Sequence, residues 1–302
     1  MRIVTRPDFD GIVCAVLLFE ALDITSPVIW VEPNHVQKGR VDIQSEDIIA
    51  NLPYDERCAL WFDHHYTNQI DAPFEGAFKI APSAAGVIFE YYHSSFRRDY
   101  GKLVQAADRI DSADLILDEV LHPENYPYVL LSLTISSEDQ PDEPYWNQLV
   151  ELFRKYEIRQ VLKDSEVKQR CQSVVAQNDR YVDFIKKHTS INQEVSITDL
   201  RAVDKAPSGN RFLVYSLFPN TMVNLRIRYE DQNKETIVVN VGHSIFNPKC
   251  NVNVGLMLAQ FDGGGHRGAG SARFVASKAD EYIPKIINIL LKNENNETEQ
   301  SG

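Results

Sequence analysis

Short apolar segments alternate with helix-like segments through the first hundred residues of the chain. Strands are predicted at 1–5, 28–31, 47–50, 59–62 and 77–80. Helices are predicted from Gly11 to Leu22 and from Ser83, a residue type that caps helices, to about Phe96. Strands that alternate with helices form a mostly parallel sheet with helices on its faces. The sequence therefore predicts an α/β fold for this part of the chain.

The remainder of the chain predicts a helical linker and a smaller C-terminal α/β domain. From Leu103 to about Lys187 the pattern is helical, apart from a polar loop at 141–144. Further strands are predicted at 195–198, 211–217, 223–229, 236–241 and 271–275, and further helices at 254–261 and 280–292. The expected organisation is a first domain at 1–165, a linker helix at 166–190, a second domain at 191–292 and a disordered polar tail at 293–302.

The chain is acidic, with a formal net charge of −12 and a pI of about 5.1. Duplex affinity comes from neutralising phosphates with basic side chains, so long duplex nucleic acid is not expected as a partner. A small anionic substrate is compatible with this charge if bound metal supplies positive charge locally. The apolar segment from Ile12 to Leu22 contains Glu20 and is too short to span a bilayer, so no membrane partner is expected.

The cysteines are far apart in the sequence and follow no ligand pattern. No CxxC pair and no histidine at zinc spacing accompanies them. We interpret them as reduced thiols of a cytoplasmic protein. They are Cys14, Cys58, Cys171 and Cys250.

Two carboxylates, Asp8 and Asp10, follow the first predicted strand, and Gly11 lets a helix begin close to them. In open α/β sheets the carboxyl ends of the strands are where ligands bind. Each carboxylate in such a turn can face a different metal ion. The alternative is a solvated acidic turn in which Asp10 caps the helix.

Asp63, His64 and His65 stand at the end of the apolar run 58–62. Adjacent side chains point in different directions, so one imidazole can bind metal while the other meets a phosphate. Asp63 can fix the tautomer of a histidine, as metal-bound histidines usually require. The alternative interpretation is a polar strand end.

Three aspartates, Asp108, Asp111 and Asp114, recur every third residue and therefore share one helical face. Arg109 neutralises part of their charge. A row of like charges is mildly unfavourable, which favours the use of one member as a metal ligand. The alternative is a solvated helix face.

A glycine-rich segment at 263–270 carries His266 and Arg267. Glycines make poor regular structure, but they let backbone N–H groups approach an anion closely. The two basic side chains add donors at the same place. The alternative is a flexible loop.

These motifs together resemble the DHH phosphoesterase superfamily with its DHH-associated C-terminal domain. The superfamily includes RecJ-type exonucleases, oligoribonuclease/pAp-phosphatase enzymes, exopolyphosphatases and cyclic-dinucleotide phosphodiesterases. The matching segments are Asp8-Phe9-Asp10-Gly11, Asp63-His64-His65, the neighbourhood of Ala107-Asp108, and Gly263-Gly264-Gly265-His266. They occur in the family's order and cover nearly the whole chain.

The resemblance implies a two-metal centre, usually manganese, in a cleft between the domains. One metal would be bound by Asp8, and the other by Asp10, His64 and Asp108. Asp63 is counted with the metal-binding motif. His65 would meet the phosphate. Substrate would also be held from the second domain, by Gly264, Gly265, His266 and Arg267.

The chain departs from the family pattern at two ligand positions. Val4 stands where small-substrate members have a histidine, four residues before the first aspartate of the motif. Asn51 stands where the family has an aspartate that bridges two metals. An amide carbonyl can bind one hard cation but lacks the charge for bridging two, so weaker metal binding is expected. His35 and Asp47 are the candidate substitutes.

The sequence thus predicts a metal-dependent phosphoesterase that uses one or two Mn²⁺ ions, with Mg²⁺ as the alternative ion. Short single-stranded oligonucleotides or nucleoside bisphosphates are the leading substrates, and polyphosphate is the second choice. The alternatives are a non-catalytic relative that binds a phosphate or nucleotide, and a one-metal phosphatase that uses Asp10, His64 and Asp108. Whether the chain forms a homodimer is left open.

Overall fold

The computed structural model describes residues 1–135, 141–207 and 209–297. The chain divides into two compact units. The first unit comprises Met1–Leu115 and His122–Val174, and the second comprises Ile116–Leu121 and Val175–Gly302. The domain limits expected from the sequence stay a prediction.

The first unit contains a five-stranded parallel sheet, as the alternating pattern predicts. Its strands are β1 (Arg2–Thr5), β2 (Ile29–Trp30), β3 (Asp47–Ala50), β4 (Leu60–Asp63) and β5 (Gly76–Phe78). The spatial order is β2-β1-β3-β4-β5. In the register, Thr5 lies beside Ala50 and Ala50 beside Phe62, so the carboxyl ends of the three central strands lie side by side.

Helices cover this sheet because its central strands are buried on both faces. The helices before the second unit's first segment are α1 (Phe9–Ala21), α2 (Pro33–Gln37), α3 (Ala84–Tyr91) and α4 (Gly101–Asp111). The ten residues from Phe9 to Leu18 are all buried. Helix α1 packs against α3 and α4, which explains why its sequence is apolar on all sides.

The long helical region predicted from Leu103 is confirmed as a series of separate helices. After α4 come α5 (Leu117–Leu121), α6 (Pro127–Ser132), α7 (Glu143–Lys155), α8 (Ile158–Val161) and α9 (Ser165–His188). Helix α5 belongs to the second unit, and α9 contributes residues to both. The break before α9 has a local cause, because the Asp164 side chain accepts hydrogen bonds from the N–H groups of Glu166 and Val167.

The second unit contains a six-stranded mixed sheet. Its strands are β6 (Thr189–Asn192), β7 (Val195–Asp199), β8 (Val223–Tyr229), β9 (Thr236–His243), β10 (Gly263–Gly265) and β11 (Ala269–Val275). The spatial order is β10-β11-β9-β8-β7-β6, and among the described strands of this sheet only the β7–β8 pair is parallel. Its helices besides α5 are α10 (Leu213–Leu217), α11 (Val254–Ala259) and α12 (Ala279–Lys292).

Two predictions for the second unit are wrong in detail. The segment from Arg211 to Leu217 is not a strand: it begins as an Asn210 turn, whose side chain accepts the Phe212 N–H, and continues as α10. The glycine run is not irregular, because Gly263–Gly265 form an edge strand against β11. Glycine is required at its start, since a Cβ on Gly263 would lie 2.4 Å from the carbonyl oxygen of Ser271.

The first residues of the C-terminal tail, which was predicted to be disordered, make hydrogen bonds to the second unit. Asn293 accepts a hydrogen bond from the N–H of Asn251, and Asn296 accepts one from the N–H of Asn253. Residues 298–302 lie outside the described residues.

Candidate metal centre

The carboxyl ends of β1, β3 and β4 bring the first unit's candidate ligands together. Asp8 follows β1, Asn51 follows β3, and His64 follows β4. Asn51 donates a hydrogen bond from Nδ2 to Asp8 Oδ1 at 3.0 Å. His64 Nε2 lies 3.9 Å from Asp10 Oδ2. Residues that are 56 positions apart in the sequence, Asp8 and His64, therefore belong to one cluster because the strands are parallel and in register.

Asp10 is held rigidly although it is buried. Its Oδ1 accepts the N–H of Ala85 at 2.8 Å and its Oδ2 accepts the N–H of Ala84 at 2.9 Å, both at the start of α3. Burial, together with the negative charges of Asp111 and Asp8, raises the pKa of Asp10 well above its usual range. A cation bound at this point would favour the ionised carboxylate and would therefore lower the pKa of Asp10 again.

His64 has the orientation of a metal-binding histidine. Its side chain is 8% exposed, and Nδ1 donates to the carbonyl oxygen of Ala81 at 2.9 Å. That bond leaves the lone pair on Nε2, which has no hydrogen-bond partner among the described residues. Nε2 lies 3.3 Å from Asp111 Oδ2. One ligand atom each of Asp10, His64 and Asp111 lie within 4.8 Å of one another, which suits a divalent ion.

Helix α4 carries two of the three predicted aspartates, Asp108 and Asp111; it ends at Asp111, so Asp114 does not share their helical face. Asp111 faces His64, whereas Asp108 Oδ1 accepts a 2.6 Å hydrogen bond from the hydroxyl of Ser83. The same hydroxyl accepts the Gly86 N–H at 2.9 Å and so caps α3. A Cβ on Gly86 would lie 2.7 Å from Asp108 Oδ1, so glycine permits this close approach. The spacing of three residues places both aspartates on one helix face, but it does not indicate which of them lies near His64.

Asn51 is buried and lies next to the same cluster. Its backbone has a φ of 56°, in the left-handed region where asparagine is enriched. Its Nδ2 is used by Asp8, while its Oδ1 is buried and has no hydrogen-bond partner among the described residues. A buried amide oxygen without a partner costs free energy unless something binds it, and a hard cation does so.

Asp8 differs from Asp10 in having a cationic neighbour. Arg6 Nε lies 3.1 Å from Asp8 Oδ2, a contact that the sequence motif did not indicate. Burial raises the pKa of Asp8 to about 6, and the charge of Arg6 opposes that rise. Asp8 also caps α1, since its Oδ1 accepts the N–H of Gly11 at 2.8 Å.

Asp63 and His65 form a hydrogen-bonded pair, and one ligand atom each of Asp63, His64 and His65 lie within 4.8 Å of one another. His65 Nδ1 lies 2.8 Å from Asp63 Oδ1, and Asn68 donates to Asp63 Oδ2 at 2.7 Å. The hydrogen bond to Asp63 raises the pKa of His65 and favours its cationic form. The His64 and His65 ring centroids are 4.1 Å apart, so the His65 imidazole lies next to the ligand cluster. Oδ1 of Asp63 thus orients His65, while Asn68 holds Oδ2.

The substitutes considered for the departed ligands are engaged or unsuited. Asp47 accepts 2.7 Å hydrogen bonds from Arg2 on both oxygens, at the amino end of β3. Val4 is 1% exposed and belongs to the apolar core. His35 is an exposed residue of α2. Neither Asp47 nor His35 therefore replaces the family's bridging aspartate or histidine, and Val4 offers no ligand atom.

The second unit carries the other predicted contacts. Gly264 and Gly265 belong to the edge strand β10, and His266 and Arg267 are exposed just after it. The carbonyl oxygens of His266 and Arg267 accept the N–H groups of Gly255 and Val254, so the turn is tied to the start of α11. A Cβ on Gly264 would meet nothing within 4 Å, which shows open space at that position.

No protein-family model matches the chain, and no curated protein matches it either. Among solved structures it is similar to PggH, a pGpG-specific phosphodiesterase from Vibrio cholerae. The TM-score is 0.85 at 30% sequence identity, over 97% of this chain and 99% of that chain. Two further structures, each at 12% identity, share the fold. An exopolyphosphatase-related protein from Bacteroides fragilis has a TM-score of 0.56 over 97% and 93% of the chains. The exonuclease RecJ bound to manganese has a TM-score of 0.60 over 96% and 90%.

The chain therefore belongs to the DHH phosphoesterase superfamily. It is a phosphoric ester hydrolase with the two-domain α/β fold of that group. Within the described residues, no helix combines the length and the apolar character that a bilayer crossing requires.

Proposed function

We propose that this enzyme hydrolyses a linear dinucleotide of the pGpG type. The observation that carries the proposal is the 30% identity to a pGpG-specific phosphodiesterase over 97% of this chain and 99% of that one. The ligand cluster supports it, because a buried imidazole nitrogen and a buried amide oxygen both lack partners among the described residues. A short dinucleotide also suits a chain with a net charge of −12, since it brings few phosphates.

Manganese is the ion that we propose, held by Asp10, His64 and Asp111. When bound, a divalent ion lowers the pKa of a coordinated water and offsets negative charge on the phosphate. The protein holds the ligand side chains in place, so that they need not rearrange when the ion binds. The two backbone N–H groups on Asp10 and the Ala81 carbonyl on His64 fix the side chains before an ion arrives.

His65 contacts the phosphate in this proposal. Its bond to Asp63 orients the ring and favours the imidazolium, which donates a charge-assisted hydrogen bond to a phosphate oxygen. In the second unit, we propose that Gly264, Gly265, His266 and Arg267 bind the rest of the substrate. The exposed basic side chains and the open space at Gly264 support that role.

We also propose a reducing, cytoplasmic compartment. The chain's four cysteines are free thiols, and Cys14, Cys171 and Cys250 are buried. Unpaired cysteines of this kind are typical of proteins kept reduced.

The test is product release from a substrate panel with manganese, magnesium or chelator. The panel holds pGpG, a cyclic dinucleotide, adenosine 3′,5′-bisphosphate and short polyphosphate. We expect manganese-dependent cleavage of pGpG to mononucleotides, with at least tenfold lower kcat/KM on the other compounds. Preferred cleavage of the bisphosphate or of polyphosphate would reassign the substrate, and no turnover with any ion would favour a phosphate-binding relative.

Two matched pairs of variants connect this activity to the site. Asp10→Asn and His64→Ala are expected to abolish turnover, because each removes a proposed ligand. The controls, Asp114→Asn and His93→Ala, change exposed residues of the same unit and should keep full turnover. Circular dichroism checks that all four variants are folded. Turnover retained in either ligand variant would contradict the site.

A further inference from the structure

Both carboxylate oxygens of Asp8 already have partners within the protein. Oδ1 accepts hydrogen bonds from the N–H of Gly11 at 2.8 Å and from Asn51 Nδ2 at 3.0 Å. Oδ2 lies 3.1 Å from the guanidinium Nε of Arg6. A second cation beside Asp8 would have to displace the amide donor and lie against a permanent positive charge.

The Asp8 side also lacks the other ligands that a second ion needs. Val4 is apolar and 1% exposed, and the carboxylate of Asp47 is bound to Arg2. Asn51 offers a neutral oxygen, which carries no charge with which to bridge two divalent ions. Neither Val4 nor Asp47 therefore supplies a second ligand beside Asp8.

The Asp10 side has the opposite character. It brings two carboxylates and an imidazole nitrogen within 4.8 Å of one another. His64 is 8% exposed and Asn51 is 1% exposed. Among the described residues, neither His64 Nε2 nor Asn51 Oδ1 has a hydrogen-bond partner. Unpartnered buried atoms of this kind are expected where a ligand completes the structure.

We propose that this centre holds a single divalent ion, on the side of Asp10, His64 and Asp111, and that the Arg6 guanidinium replaces the second ion beside Asp8. The contacts agree with this assignment, because the carboxylate of Asp8 is already paired with Arg6, whereas carboxylate oxygens of Asp10 and Asp111 lie near the unpartnered Nε2 of His64. The inference rests on the proposed function in taking the cluster to be a metal site.

Asn51 has a defined part in this arrangement. Its Nδ2 donates to Asp8, and its free Oδ1 is available to the cluster, so the amide joins the guanidinium side to the metal side. An aspartate at this position would lose the donor to Asp8 and place two carboxylates together. That change would favour a second cation, particularly if Arg6 were neutral.

The experiment is a manganese titration of the full-length, chelator-stripped protein, followed by calorimetry and by electron paramagnetic resonance. We expect one equivalent in the wild type, with the spectrum of an isolated ion. The double variant Arg6→Gln/Asn51→Asp should bind two equivalents and show exchange coupling between them. Arg57→Gln, which changes a surface arginine paired with Asp55, is the matched control and should bind one.

The outcomes separate this inference from the proposed function. Two equivalents and exchange coupling in the wild type, with pGpG still hydrolysed, would overturn the single-ion centre alone. A folded double variant that still binds one equivalent would overturn the roles given to Arg6 and Asn51. A wild type that binds no manganese and cleaves no member of the substrate panel would overturn the single-ion centre and the proposed function together.

Discussion

The hydroxyl of Ser83 connects the stability of the first unit to the position of Asp108, and its removal has a predictable cost. Ser83 is fully buried, caps α3 through the N–H of Gly86, and donates to Asp108 at 2.6 Å. Loss of an N-cap side chain costs about 1 kcal/mol. Loss of a hydrogen bond to a charged group costs about 1.5–3 kcal/mol. Ser83→Ala should therefore lower the free energy of unfolding of this unit by roughly 2–4 kcal/mol.

The assay is guanidinium denaturation in the presence of chelator, so that metal binding does not contribute. The three tryptophans, Trp30, Trp61 and Trp146, all belong to the first unit, and their fluorescence therefore reports on its unfolding. The control is Ser94→Ala, at an exposed serine of the same unit. A midpoint for Ser83→Ala equal to that of the control would refute the reasoning, because it would show that neither hydrogen bond contributes to stability.

Other predictions follow from single contacts. Asp111→Asn should weaken manganese binding at least tenfold by calorimetry while Asp114→Asn leaves it unchanged; equal effects would contradict the assignment of the ligand. Burial lowers the pKa of His243, so the folded state binds fewer protons than the unfolded state and the free energy of unfolding should fall as pH drops below about 6.5. In urea titrations followed by circular dichroism, His243→Gln should reduce this dependence on pH. An unchanged dependence would show that His243 is not its cause. Gly263→Ala should lower Tm, since its Cβ would lie 2.4 Å from a backbone oxygen, whereas Gly264→Ala should keep Tm and raise KM for pGpG; a normal KM would remove Gly264 from the substrate site.

Much of the fold could be predicted from the sequence because the first unit's strands are short, apolar and separated by clear breaks. The strand at Asp47–Ala50 was predicted to the residue, since a charged residue precedes it and Asn51 ends it. Two segments of the second unit could not be predicted in this way. Leu213–Leu217 has a mixture of apolar residues that suits strand or helix, and a turn at Asn210 decides the matter. Gly263–Gly265 has no strand propensity, and its pairing comes entirely from β11.

Two contacts of the candidate site could not be predicted from the sequence. Asp108 and Asp111 are three residues apart on one helix face, so the sequence could not separate the aspartate that faces the histidine from the one that meets Ser83. Arg6 carried no signal, because its importance depends on a 3.1 Å contact with Asp8 that the turn geometry creates. Such contacts depend on side-chain direction at the turn, which spacing along the chain does not encode.

The left-handed backbone at Asn51 also bears on how this centre can change during evolution. A φ of 56° disfavours β-branched and bulky residues, and asparagine, aspartate and glycine are the types that tolerate it best. The codons of asparagine and aspartate differ in a single base. One transition in the gene could therefore place a carboxylate beside Asp8 without a change of backbone, while the sheet beneath remains the same.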